Sequence, residues 1–201
     1  MPAKTAVVLA RALFFVELIL RAPIDRLLER VLIRCSQTAL LRGVSVSVLD
    51  IAGQSQAHLS RLEGALALIA ELDPRRFRRL CQDLRRVLVM RLDRNELSMY
   101  TGTCYLSIAA VVDHDAPLIA CDLVHEATHA RLRHAGLRYW PDLQRRQEEL
   151  CVREEIAFAR LLAPAGFANT EALLSYLQEV LQTYPRTKPT GLYRWIAGGR
   201  L

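Results

Sequence analysis

Two imidazoles four residues apart enclose a carboxylate in the segment His125-Glu126-Ala127-Thr128-His129. On a helix, residues i and i+4 lie on one face, so both rings point the same way and can share one tetrahedral zinc ion. Glu126 sits about 100° further round the helix, beside such an ion rather than on it. There it can take a proton from zinc-bound water and return it to a leaving group. The context favours this chemistry. Leu118, Ile119, Leu123 and Val124 make the helix a core element, and two histidines and a glutamate buried without a purpose would be costly. The plainer alternative is a pair of hydrogen-bonded core histidines.

A catalytic zinc expects three protein ligands and a position for water. The third must come from elsewhere, and the helix expected over 142–162 offers Glu148, Glu149, Glu154 and Glu155. Glu148 and Glu155 are seven apart and share a face with Cys151 and Val152. Glu149 and Glu154 fall outside that pairing and are expected in solvent. Geometry alone favours Glu148 and Glu155 without choosing between them.

The spacing His125-Glu126-x-x-His129, eighteen intervening residues, then Glu148 resembles the HExxH-x18-E pattern of gluzincin metallopeptidases, in particular the zinc aminopeptidases. That resemblance implies that His125, His129 and Glu148 bind zinc, that Glu126 is the general base, and that Glu155 supports the ligands from outside. It also implies a sheet whose edge strand runs along the substrate cleft, a place that residues 100–112 suit. It covers about 100–160. Gln147 stands where the aminopeptidases have Asn before the ligand, and no amine-binding motif is visible, so aminopeptidase activity is not implied. The run from Glu154 to Pro164 is similar to a helix of compact bacterial metallopeptidases that cleave repressors, and that likeness would make Glu154 the ligand. The minimal scaffold is also similar to uncharacterised bacterial proteins described only as zinc metallopeptidases.

Other residues carry less. Cys121 lies one turn before His125 and is expected to be a buried small side chain. Asp122 could orient His125, His58, His114 and His134 read as surface residues, and Tyr139 or Tyr176 could supply an oxyanion donor. No phosphate-binding glycine loop and no serine nucleophile elbow occurs.

The elements that must position these groups follow from apolar period and punctuation. Helices are predicted over 4–21, 24–35, 56–72, 75–86, from Asp115 and Pro117 to about Gly136, over 142–162 and over 170–182. Asp73-Pro74 divides two of them, Asp as cap and Pro in the first turn. Strands are predicted over 44–51 and 87–92, with one or two more within 100–112. The fold class is therefore α+β and predominantly helical, a minimal zincin-like domain with a small sheet before the His125–His129 helix. The expected division is 1–35, N-terminal amphipathic helices, and 36–201, the metallopeptidase domain.

Composition sets the remaining bounds. The chain has 201 residues, enough for one domain with a real core. A formal charge of +6 sits in arginine clusters such as Arg75-Arg76-Phe77-Arg78-Arg79; without a surrounding nucleic-acid module these read as a solvated helix face, and nucleic acid is not the expected partner. Five cysteines, odd in number and without C-x-x-C, read as free thiols in a reducing, cytoplasmic compartment. Arg11 and Glu17 interrupt the apolar stretch from Ala6 to Leu20, which suits neither a signal peptide nor a spanning helix. Its polar residues fall within roughly 140° of arc, leaving a face expected to pack on the core, with a membrane surface or a partner protein as the alternative. The reading is a zinc hydrolase, in particular a peptidase acting on peptide or protein. Its competitors are an inactive zinc-binding protein of the same fold and a basic nucleic-acid-associated protease.

Overall fold

The computed structural model describes residues 22–98, 101–137 and 143–183; the predicted helix over 4–21 and Tyr139 lie outside them. Helix α1 runs over 22–34. It is followed by β1 (Gln37–Leu41), β2 (Val44–Val48), α2 (Ser55–Leu72), α3 (Pro74–Asp83), β3 (Arg86–Met90), β4 (Glu96–Leu97), β5 (Thr103–Ser107), α4 (Ile108–Asp113), α5 (Ala116–His134), α6 (Gln144–Leu162) and α7 (Thr170–Thr183). The class is α+β and predominantly helical. One five-stranded mixed sheet has the order β1-β2-β3-β5-β4. Its middle strands β2, β3 and β5 are parallel, while β1 and β4 run antiparallel on the two edges.

Local chemistry explains most boundaries. Asp73 caps α3, its side chain accepting the Arg76 N–H at 2.9 Å, with Pro74 in the first turn. Asp115 caps α5 by accepting the Leu118 N–H at 3.1 Å. At the other end of α5, Gly136 takes φ +80° while the Leu137 N–H reaches back to the Leu132 carbonyl at 2.9 Å. This is the left-handed stop that glycine permits without a Cβ penalty. Val87, Leu88 and Val89 in β3 are all buried, as expected of a parallel strand covered on both faces.

Helix α5 is the centre of the fold. It packs against α2, α3 and α6 and buries residues around most of its circumference, among them Ile119, Leu123, Val124 and Leu132. Ala120, Ala127 and Ala130 let its neighbours come close. Phe158 and Leu162 of α6, Leu62, Leu66 and Ile69 of α2, and Val46 and Val48 of β2 complete the core. A helix buried nearly all round has few places for polar side chains. That makes the presence of Glu126 on it informative.

The structure corrects three expectations. Residues 37–41 are a strand that the sequence reading omitted. The stretch expected to supply the cleft-edge strand, 100–112, instead gives β5, which lies inside the sheet, and then helix α4; the edge beside β5 belongs to β4. The strand expected over 44–51 ends at Val48, because Asp50 leaves the ladder to accept the N–H groups of Ala52 and Gln54 at 2.9 and 2.8 Å. Helix α1 is tied to the sheet by Glu29, which accepts the Thr103 hydroxyl at 2.8 Å and lies 3.7 Å from Arg86. Its Ile24, Leu27, Leu28 and Val31 are exposed. Among the described residues no helix is long and apolar enough to cross a membrane.

Candidate metal centre

Helices α5 and α6 pack directly on each other, and this contact assembles the site. From α5 come His125 and His129, four residues apart, with ring centroids 5.0 Å from each other and planes at 63°. From α6 come Glu148, Cys151 and Glu155, spaced three and four apart so that all three face α5. The Glu148 Oε2 lies 3.3 Å from His125 Nε2 and 3.5 Å from His129 Nε2. The Glu155 Oε2 lies 3.0 Å from the other nitrogen of the same ring, His125 Nδ1. Its carboxylate accepts from Nδ1–H and fixes the ring, with Nε2 turned toward Glu148 and His129. His125, His129 and Cys151 place ligand atoms within 4.8 Å of one another and could hold a metal ion.

Electrostatics match the crowding. Burial raises the Glu126 carboxyl above its ordinary value, against the pull of the two imidazoles. Burial also raises Glu155, with the His125 bond opposing. It pushes the Cys151 thiol far up, with the nearby carboxylates adding to it. For His125, burial works downward but is outweighed by the bonds to Glu148 and Glu155, which hold the imidazole well above its usual range. Three carboxylates and two imidazoles confined this way are what a cation would relieve. Glu126 adds an independent sign. It is 5 % exposed, and its Oε2 is buried without a hydrogen-bond partner, which costs free energy unless a ligand or water fills the place.

The structure therefore brings His125, His129, Glu126, Glu148 and Glu155 together and leaves the other glutamates out. Glu154 is held by Arg76 at 2.9 Å and Arg131 at 3.2 Å. Burial would raise its carboxyl, but the two guanidinium groups win and hold it low. Glu149 pairs with Arg145 at 2.7 Å. Neither is the freely solvated residue that the sequence suggested. Cys121 is buried, as expected, and His134 is an exposed partner of Asp83 at 3.3 Å.

Two histidine expectations fail. His58 is buried, not on the surface: it is 3 % exposed and its Nε2 lies 3.3 Å from the Asp50 carboxylate. Asp122 turns to His114 Nδ1 at 3.1 Å instead of orienting His125, a task taken by Glu155. Sequence reasoning also gave Cys151 no role, although its place three residues after Glu148 put it on the same helix face.

The bond to Asp122 raises His114 above its ordinary 6.5, with burial opposing. A raised folded-state value means that the protonated imidazole favours the folded protein, so this contribution is full below the ordinary value and is lost as pH rises through the folded value. Thermal unfolding should therefore show the wild type furthest above Asp122→Asn in mildly acidic solution, the gap closing on the alkaline side. A gap independent of pH would mean that the pair is not an ion pair.

A cavity of about 600 Å³ lies between α5, α6 and α7 and reaches the site at His125 and Glu155. Val152, Leu162, Leu173 and Leu177 give it apolar walls, and exposed Tyr176 stands among its lining residues. Comparison with models of protein families, with curated proteins and with solved structures finds no match to this chain.

Proposed function

We propose that the chain is a zinc-dependent hydrolase, and in particular a peptidase, with zinc held by His125, His129 and Glu148. The observation that carries this reading is the convergence of both Nε2 atoms on one Glu148 oxygen, at 3.3 and 3.5 Å. Donors about 2.0–2.2 Å from a tetrahedral zinc stand roughly 3.3–3.6 Å apart, and both separations between Glu148 and the imidazoles fall in that range. Two imidazole nitrogens beside one carboxylate suit zinc over calcium or magnesium, which prefer oxygen alone. When bound, zinc would supply a Lewis acid that polarises a carbonyl and lowers the pKa of water.

The chain's own residues supply the rest. Glu126, one position after a ligand, takes the proton of the attacking water and delivers it to the leaving amine. Glu155 fixes the His125 ring and its tautomer. The apolar cavity beside His125 offers room for a substrate side chain. Edge strand β4 packs close to α5, where an extended peptide can add to a sheet. The gluzincin resemblance of the sequence supports the same assignment.

Elemental analysis tests the proposal. The purified protein should contain one zinc per chain, and His125→Ala and His129→Ala should each lose it. Full metal content in both variants would sink the assignment.

A further inference from the structure

Cys151 does not fit a site built from two histidines and one glutamate alone. Its side chain is fully buried on α6, one turn from Glu148, and its sulfur is within 4.8 Å of ligand nitrogens on both His125 and His129. The other buried cysteines, Cys104 and Cys121, belong to no such group among the described residues. A thiolate and an imidazole sharing a tetrahedral zinc stand roughly 3.6 Å apart, so each sulfur–nitrogen distance needs to shorten by about 1.2 Å at most, a change that side-chain rotation can supply.

We propose that Cys151 is a fourth protein donor, so that the metal at rest is closed in a set of His125, His129, Glu148 and Cys151, and hydrolysis requires the sulfur to leave it. This rests on the zinc reading above and adds regulation to it. The physical reason is coordination number. A catalytic zinc keeps a position open for water, whereas four protein donors make the closed set typical of structural sites. Glu126, with its unpartnered oxygen, then stands beside a place that water occupies only when the thiolate has gone. A sulfur donor also shifts metal preference toward thiophilic ions. No oxidation state changes: the metal–sulfur bond would break as a water oxygen takes its place, and the proton that the thiolate takes up would come from that water.

Cobalt(II) loading of the full chain tests this directly, because thiolate-to-cobalt charge transfer gives an intense near-ultraviolet band that imidazole and carboxylate donors lack. The wild type should show the band. Cys151→Ala and Cys151→Ser should lose it while keeping the visible bands of bound cobalt. Their zinc affinity should fall by at least the roughly ten- to hundredfold that losing even an outer partner of a ligand costs, and their peptidase activity should rise. Wild type that binds one cobalt without the charge-transfer band would overturn the sulfur donor and leave the zinc site standing. Wild type that binds no cobalt or zinc would overturn the site itself. Should both variants fail to fold, the wild-type spectrum still decides.

Discussion

Glu126→Gln should lower hydrolysis of a responsive peptide by a hundredfold or more while zinc content and thermal stability stay near those of the wild type. General acid–base groups contribute about 10²–10⁴ to rate, and a hundredfold loss corresponds to about 2.7 kcal/mol of transition-state stabilisation. The substitution suits the site. Gln has the shape of Glu, so the core around this nearly buried residue needs no repacking, yet an amide cannot accept a proton at neutral pH. Burial, which raises the Glu126 carboxyl, moves it toward the range in which a base both takes and returns a proton efficiently. Kinetics should show the loss in kcat more than in KM, because the group acts in the transition state. Unchanged activity would remove the proposed mechanism. Loss of zinc together with activity would show instead that Glu126 helps to assemble the site.

How far the sequence discloses this arrangement depends on whether the deciding contacts are local. The start and stop of α5 are written in Asp115, Pro117 and Gly136, all of which act within one turn, and both ends lie where those residues put them. Strand β1 carries no such signal. It turns into β2 through Arg42-Gly43 with φ +49° and +90°, a two-residue loop whose usual mark is Asn-Gly or Asp-Gly. Residues Ile108 to Val112 are rich in β-branched side chains and read as strand, but their place after β5 folds them into α4; tertiary context overrides the propensity. His58 reads as a surface residue because it lacks metal-ligand spacing, and the carboxylate it meets inside the fold belongs to a loop eight residues back.

The same limit applies to the proposed third ligand. Helical period narrows the glutamates to Glu148 and Glu155, but choosing between them requires the stagger of α6 along α5. Phe158, Ala159 and Leu162, packed in the core, fix that stagger, and no local pattern announces it. The gluzincin resemblance, which rests on spacing alone, implies Glu148.

Glu148→Ala should therefore cost far more zinc affinity than Glu155→Ala, which should weaken binding by roughly ten- to a hundredfold. Both carboxylates reach His125, but from opposite sides of the ring: Glu148 stands 3.3 Å from Nε2 and Glu155 3.0 Å from Nδ1. Seven residues separate the two by roughly 10 Å along the helix, so one ion cannot easily take both, and the imidazole bridges the gap. Glu148 also approaches His129, at 3.5 Å. Removing it takes a bond from the ion; removing Glu155 frees the ring to turn and change tautomer while all the donors remain. Glu154→Ala provides the control. Its loss leaves Arg76 and Arg131 without their shared carboxylate, a half-exposed ion pair worth on the order of 1 kcal/mol of stability, and zinc affinity should not change. Zinc titrations against a chelating indicator, made on all three variants alongside thermal unfolding, separate these outcomes. If Glu155→Ala releases the metal and Glu148→Ala only weakens it, the ligand and its support are exchanged. If Glu154→Ala alone releases the metal, α6 presents another face to α5 than the one described, and the likeness to repressor-cleaving peptidases is the better guide.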